Sequence, residues 1–124
     1  MDCIFCKITK KETPSDIVYE DGELMVFKDI NPKAPVHLLV VPKKHIVSVN
    51  ELEDDDADLA GQLIIQARNA AKSFGLAGYK LVFNVGRNGG QIVDHIHLHI
   101  LGGWADGQDP NKVKIWPTKI LKSK

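Results

Sequence analysis

The run His95-Ile96-His97-Leu98-His99-Ile100 constrains this chain more than any other stretch. Three histidines alternate with three aliphatic residues. Successive side chains of a β-strand point to opposite faces, so the pattern predicts a strand over 95–100. Its imidazoles would line one wet surface, with Ile96, Leu98 and Ile100 on the core. A helix would scatter the same residues around its circumference. The plain alternative is a half-buried strand with polar residues outward, but packing alone gives no reason for imidazole at every second position. At about 3.3 Å of rise per residue, His95 and His99 stand roughly 13 Å apart, so the three rings cannot all touch one phosphate. His97 and His99 can share one reacting group, which leaves His95 for something else.

At 124 residues the chain is long enough for one domain with a real core. We expect a single domain over 1–124, with its core at about 3–103 and a tail over 104–124. Sixteen basic residues balance sixteen acidic ones, which gives no electrostatic reason to bind long nucleic acids or anionic membranes. The longest aliphatic run, Leu38-Leu39-Val40-Val41, is too short to span a bilayer. The first residues carry no apolar signal segment, and Cys3-Ile4-Phe5-Cys6 has the spacing of a metal or redox pair, not of a disulfide framework. The expectation is a cytoplasmic protein.

In chain order, Cys3 to Ile8 predicts a short helical turn ended by Thr13-Pro14-Ser15. Ile17–Glu20 and Glu23–Lys28 predict a hairpin across an Asp21-Gly22 two-residue turn. Val36–Val41 reads as a central strand buried on both faces. Glu53-Asp54-Asp55-Asp56 opens a long helix whose stripe is Leu59, Leu63, Ala67, Ala70, Ala71 and Phe74, with Gly75 as its stop. A strand over Tyr79–Asn84, a glycine-rich loop over 85–91 and the histidine strand complete the pattern. Five strands, largely hairpin-connected, plus one long helix predict an α+β domain with a five-stranded, mainly antiparallel sheet.

Neutral imidazole is a good nucleophile near neutral pH, because its ordinary pKa is about 6.5. Attack on phosphorus gives a labile phospho-imidazole that water cleaves in a second step. Acid should remove the activity by protonating His97. The transition state spreads negative charge over phosphate oxygens, so preorganised donors matter. Gly86, Gly89 and Gly90 are expected to turn their N–H groups inward as an anion nest. The alternative is an ordinary hairpin turn. Asn84 can present an amide at the same mouth.

These residues carry a resemblance. Asn84 through Gly103, with Gly89-Gly90-Gln91 and the His95–Ile100 run, resembles the signature of the histidine triad (HIT) family. Ile4-Phe5-Cys6-Lys7-Ile8, Phe27-Lys28-Asp29-Ile30-Asn31-Pro32 and Ala34-Pro35-Val36-His37 through Pro42-Lys43-Lys44-His45 resemble its Hint branch of nucleotide-binding proteins. The resemblance implies a HIT-like fold with one long and one short N-terminal helix, in a homodimer that binds purine nucleotides (AMP or GMP type). It implies hydrolysis of nucleoside phosphoramidates through a nucleotidyl-histidine. His97 matches the nucleophile, and His99, His37, Asn84, Gly89, Gly90 and Gln91 match groups around the phosphate. Asp29 matches the carboxylate on the ribose hydroxyls, and Phe5, Ile8, Phe27, Ile30 and Leu39 match the apolar walls around the base. Three features depart from the pattern. Ile92 stands where many Hint proteins carry a hydroxyl thought to help protonate the leaving amine, a role that would pass to water or His99. Asp94 stands where an aromatic is usual. The tail is longer than in typical members, and Trp116 is a candidate to reach a partner subunit.

Cys3 and Cys6 supply two soft ligands, and a tetrahedral structural site needs four. A zinc site of Cys3, Cys6, His45 and His95 resembles one found in bacterial HIT proteins, and no organic cofactor is expected. The alternative is two free or redox-active thiols, with His95 hydrogen-bonding inside the sheet. Two further functions compete: dinucleoside polyphosphate hydrolysis, and a zinc-stabilised nucleotide-binding or scaffold module with weak catalysis. A zinc-finger DNA reader lacks its basic stripe.

Overall fold

The structure is a computed structural model and describes residues 3–112. The expectations for Trp116 and for the end of the tail lie outside the described residues. The elements are α1 (Ile4–Thr9), β1 (Ile17–Glu20), β2 (Leu24–Lys28), β3 (Val36–Pro42), α2 (Ala57–Ser73), β4 (Tyr79–Val82) and β5 (Leu98–Gly102). The strands form one five-stranded sheet in the order β1-β2-β3-β5-β4, with every neighbouring pair antiparallel. The α+β expectation holds.

The period-two alternation of three central strands decides what each face carries. Leu24, Val26, Leu38, Val40, Leu98 and Ile100, joined by Ile96, pack on one side against Leu63, Ala67, Ala70 and Ala71 of α2. On the other side Met25, Phe27, Leu39 and Val41 pack against Cys3, Phe5 and Ile8 of the α1 segment. The two helices therefore cover opposite faces. The histidines lie on the α1 face, so they are not wet: His95, His97 and His99 are 0%, 8% and 5% exposed.

Several boundaries differ from the sequence expectation. Regular pairing of the histidine segment begins at Leu98, opposite Val40, and not at His95. Upstream, the Ile96 N–H donates to the Ile46 carbonyl at 2.6 Å and the His95 ring bonds the Pro42 carbonyl at 2.8 Å. These long-range bonds replace the ladder while preserving the alternation of faces. The strand expected over Tyr79–Asn84 stops at Val82. The hairpin loop has three residues, Asp21 to Glu23, because the Asp21 carboxylate accepts the N–H groups of Glu23 (2.8 Å) and Leu24 (3.0 Å).

Helix α1 ends before the proline. Lys11 adopts φ +63°, and the Glu12 N–H returns to the Lys7 carbonyl at 2.8 Å. Asp56 does more than complement a dipole: it is buried, and its carboxylate accepts from the Glu53 N–H (2.9 Å) and Lys44 Nζ (2.7 Å). Helix α2 ends as expected at Gly75 (φ +69°), with the Leu76 N–H bonded to the Ala71 carbonyl at 3.0 Å.

Candidate functional site

A cavity of about 260 Å³ opens on the α1 face of the sheet, near the lower end of the range for small-molecule sites, roughly 300 Å³. Phe5, Ile8, Phe27 and Leu39 pack together as an apolar part of its wall, and Ile92 and the 87% exposed Ile30 also line it. Asp29, His37, Asn84, Gly90, His97 and His99 supply its polar lining. An apolar slot beside a carboxylate and three imidazoles suits a molecule with a flat ring at one end and an anion at the other. Sequence reasoning missed Thr13, Pro14, Ser15, Asn31 and Lys33, which also line it. Only the loop between β2 and β3, flanking Asp29, marked any of these.

The register sets the histidine geometry. Leu39 lies opposite His99, and His37 opposite Leu101, so His37 and His99 are diagonal neighbours on one face. Their rings bond directly, His37 Nε2 to His99 Nδ1 at 2.9 Å, and His37 Nε2 is 3.4 Å from Asp29 Oδ2. His97 stands beside them, its centroid 4.9 Å from that of His99 and 5.0 Å from that of Phe5. The His97 Nδ1–H donates to the His95 carbonyl at 2.7 Å.

Burial decides the charge state of these rings. It holds His97 and His37 below the ordinary histidine value, and for His37 it outweighs the pull of Asp29, so that contact joins a carboxylate to a neutral ring. Burial, reinforced by His97 and His37, pushes His99 down to about 3. An unfolded histidine takes up its proton near its ordinary value of 6.5, whereas folded His99 does so only near 3, so its neutral burial costs stability as pH falls through that window. Chemical denaturation from pH 7 to pH 4 should show a shallower loss of stability in His99→Asn than in the parent. Identical slopes would contradict this.

The glycine loop behaves differently from the expectation. Gly86 (φ +71°) and Gly90 (φ +89°) adopt the left-handed backbone, but the three amides do not form a nest. The Gly89 N–H donates to the Gly86 carbonyl and the Gly90 N–H to the Arg87 carbonyl, both at 3.0 Å, and the Gly86 N–H donates to Gln91 Oε1 at 2.9 Å. A 3₁₀ turn over Arg87–Gly89 consumes them. Gln91 is 2% exposed and braces this loop, donating to the carbonyls of Val47 (2.6 Å) and Val93 (2.9 Å). Neither Gln91 nor Gly89 lines the cavity, whereas the Gly90 backbone does. Asn84 lines it and gives one of its two amide N–H groups to the Gly89 carbonyl at 2.9 Å. Asp94 is paired with Arg87 at 2.8 Å across the same loop.

Behind His97 lies a second cluster. The donor atoms of Cys3, Cys6, His45 and His95 lie within 4.8 Å of one another. Cys3 Sγ to His95 Nδ1 is 3.3 Å, Cys6 Sγ to His45 Nδ1 3.4 Å, Cys6 Sγ to His95 Nδ1 3.6 Å, and His45 Nδ1 to His95 Nδ1 3.2 Å. Zinc bond lengths of about 2.0–2.3 Å place tetrahedral ligand atoms roughly 3.3–3.8 Å apart, so these spacings fit a four-coordinate metal. His95 Nε2–H donates to the Pro42 carbonyl at 2.8 Å, which turns its Nδ1 lone pair inward. The cluster ties α1 to the segment that carries His97.

The chain is similar to known proteins over most of its length. The family model described as "Scavenger mRNA decapping enzyme C-term binding" matches residues 2–112. Protein HitA of Neisseria gonorrhoeae is 48% identical over 102 residues, 82% of this chain and 95% of its own length. A HIT family hydrolase from Legionella pneumophila superposes with TM-score 0.82 at 49% identity, covering 88% of this chain and 99% of that one. A zinc-bound histidine triad family protein from Mycobacterium smegmatis superposes with TM-score 0.75 at 27% identity, over 94% of this chain and 82% of that one. Among the described residues no helix is long and apolar enough to cross a membrane.

Proposed function

Because the chain belongs to the histidine triad (HIT) family, we propose that it is a purine nucleotide-binding hydrolase of the Hint type, cleaving nucleoside phosphoramidates through a nucleotidyl-His97 intermediate. The observation that carries this reading is the 2.7 Å bond from His97 Nδ1–H to the His95 carbonyl. It fixes the proton on Nδ1 and leaves the Nε2 lone pair as the nucleophile. In the first step that lone pair bonds to the α-phosphorus. The P–N bond breaks, its electron pair goes to the leaving nitrogen, and water supplies the proton, since Ile92 offers none. In the second step water attacks phosphorus, the P–Nε2 pair returns to the imidazole, and the attacking water loses the balancing proton to solvent. The products are an amine and a nucleoside monophosphate.

The apolar part of the cavity wall would hold the base, with Ile30 covering it, and Asp29 the ribose hydroxyls. Burying a rim isoleucine against a purine removes apolar surface from water. The Cys3/Cys6/His45/His95 cluster would hold zinc, which supplies structural cross-linking and takes no part in the chemistry. We also read a homodimer: among the described residues β4 is an edge strand of the sheet, and its Leu81 is exposed. We read the protein as cytoplasmic, since its two cysteines have the spacing of a metal pair and not of a disulfide framework.

Side-by-side turnover of a nucleoside phosphoramidate and a dinucleoside triphosphate tests the reading. We expect the phosphoramidate to be cleaved at least about tenfold faster, a margin of roughly 1.4 kcal/mol in the barrier. The reverse order would establish dinucleoside polyphosphate hydrolysis. Tight nucleotide binding without turnover of either would establish a binding module.

A further inference from the structure

Asp29, His37 and His99 also bring three donor atoms within 4.8 Å of one another, a set that resembles a second metal site. The hydrogen bonds point elsewhere. A main-chain N–H only donates, so the Lys33 amide, 3.0 Å from His37 Nδ1, meets a lone pair there. Neutral imidazole carries one proton, which His37 must then hold on Nε2, where a metal would need a lone pair. His37 Nε2 is 2.9 Å from His99 Nδ1, a contact that needs one proton and one lone pair. His99 Nδ1 is therefore the acceptor, and the His99 proton sits on Nε2. That atom has no protein partner among the described residues, and His99 lines the cavity.

We propose that the main-chain amide of Lys33 sets the tautomers of His37 and His99, so that His99 turns a donor, and not a lone pair, toward a bound phosphate. Lys33 is then a positioning residue, acting through two rings. The inference rests on the reading of the cavity as a nucleotide site. It gives the two cavity-facing histidines opposite roles from opposite anchors. A carbonyl behind His97 leaves its Nε2 a lone pair, and an amide behind His37 makes the His99 Nε2 a donor. The reversed tautomer of His99 would set two lone pairs against an anion. Because the glycine amides are consumed within their own turn, this N–H carries more of the phosphate's charge than it would beside a preformed nest.

The test compares Lys33→Ala, which keeps the N–H, with Lys33→Pro, which removes it; both lack the ammonium group, so its charge cancels. Nitrogen-15 NMR of the parent protein should show His99 protonated on Nε2 and unprotonated on Nδ1. Lys33→Pro should mix the two tautomers and bind AMP roughly tenfold more weakly than Lys33→Ala, the worth of about one hydrogen bond to a charged group. Adenosine, which lacks the phosphate, should bind both variants equally; a general structural defect would weaken it too. The proposal is overturned if parent His99 carries its proton on Nδ1, or if the two variants bind AMP alike. Should Lys33→Pro fail to fold, the parent spectrum alone decides. A cavity that binds neither AMP nor adenosine would sink the nucleotide reading, while the same spectrum would still decide the tautomers.

Discussion

His97→Gly is expected to lower turnover of a nucleoside phosphoramidate by about 10³- to 10⁶-fold, the range seen when a covalent nucleophile is removed, while nucleoside monophosphate binding persists. The two effects separate because the groups do. The base slot is built by Phe5, Ile8, Phe27 and Leu39, and the phosphate-facing donor belongs to His99; neither needs the His97 ring. His97 is 8% exposed and packs edge-on against Phe5, with centroids 5.0 Å apart, so some stability will also be lost. Binding must therefore be measured by titration on a variant shown to be folded. A variant that retained more than a tenth of parental turnover would end the account of His97 as nucleophile.

Loss of the metal should have the second largest effect. Purified protein is expected to carry about one zinc per chain, held by Cys3, Cys6, His45 and His95. Cys6→Ser should abolish it and lower Tm by on the order of 10 °C or more, since structural zinc contributes several kcal/mol of folding free energy. The reason lies in connectivity. Helix α1 has six residues, too few to hold on propensity, and it packs on the sheet through Phe5 and Ile8 together with the two cysteines. His95 couples the cluster to the chemistry, because its ring faces the thiols while its carbonyl fixes the His97 tautomer. Activity should thus fall in the metal-free protein along with Tm. Metal analysis without zinc, together with an unchanged Tm for Cys6→Ser, would leave two free thiols.

How far the sequence reached depends on the range of the forces involved. Alternation in the histidine run named the face of every residue from Ile96 to Ile100, because side-chain direction is local. It misplaced the strand's start, since the Ile96 N–H pairs with Ile46, some fifty residues away. The wet face was misjudged for a similar reason: nothing within residues 95–100 announces that α1 will cover them. Glycine composition identified a tight turn, but not that its own carbonyls would capture the Gly89 and Gly90 amides. Gln91, expected at the phosphate, is a brace because Val47 happens to pass beside it. The Cys/His cluster joins three distant segments: the spacing of Cys3 and Cys6 marked a metal or redox pair, but the full set with His45 and His95 came with the family resemblance. Lys33 was marked only as part of the loop after Asp29 and not as an individual residue, because its role belongs to a backbone N–H that every residue except proline possesses.

The central claim is that phosphorus is bonded to one particular nitrogen during turnover. Rapid acid-free quench of the protein with a nucleoside phosphoramidate, followed by intact-mass and peptide mass spectrometry, tests it directly. The account predicts a nucleoside monophosphate adduct on His97 that appears within the first turnover and is absent from His97→Gly. Turnover with no adduct at any quench time, or an adduct on His99 or His37 instead, would contradict it.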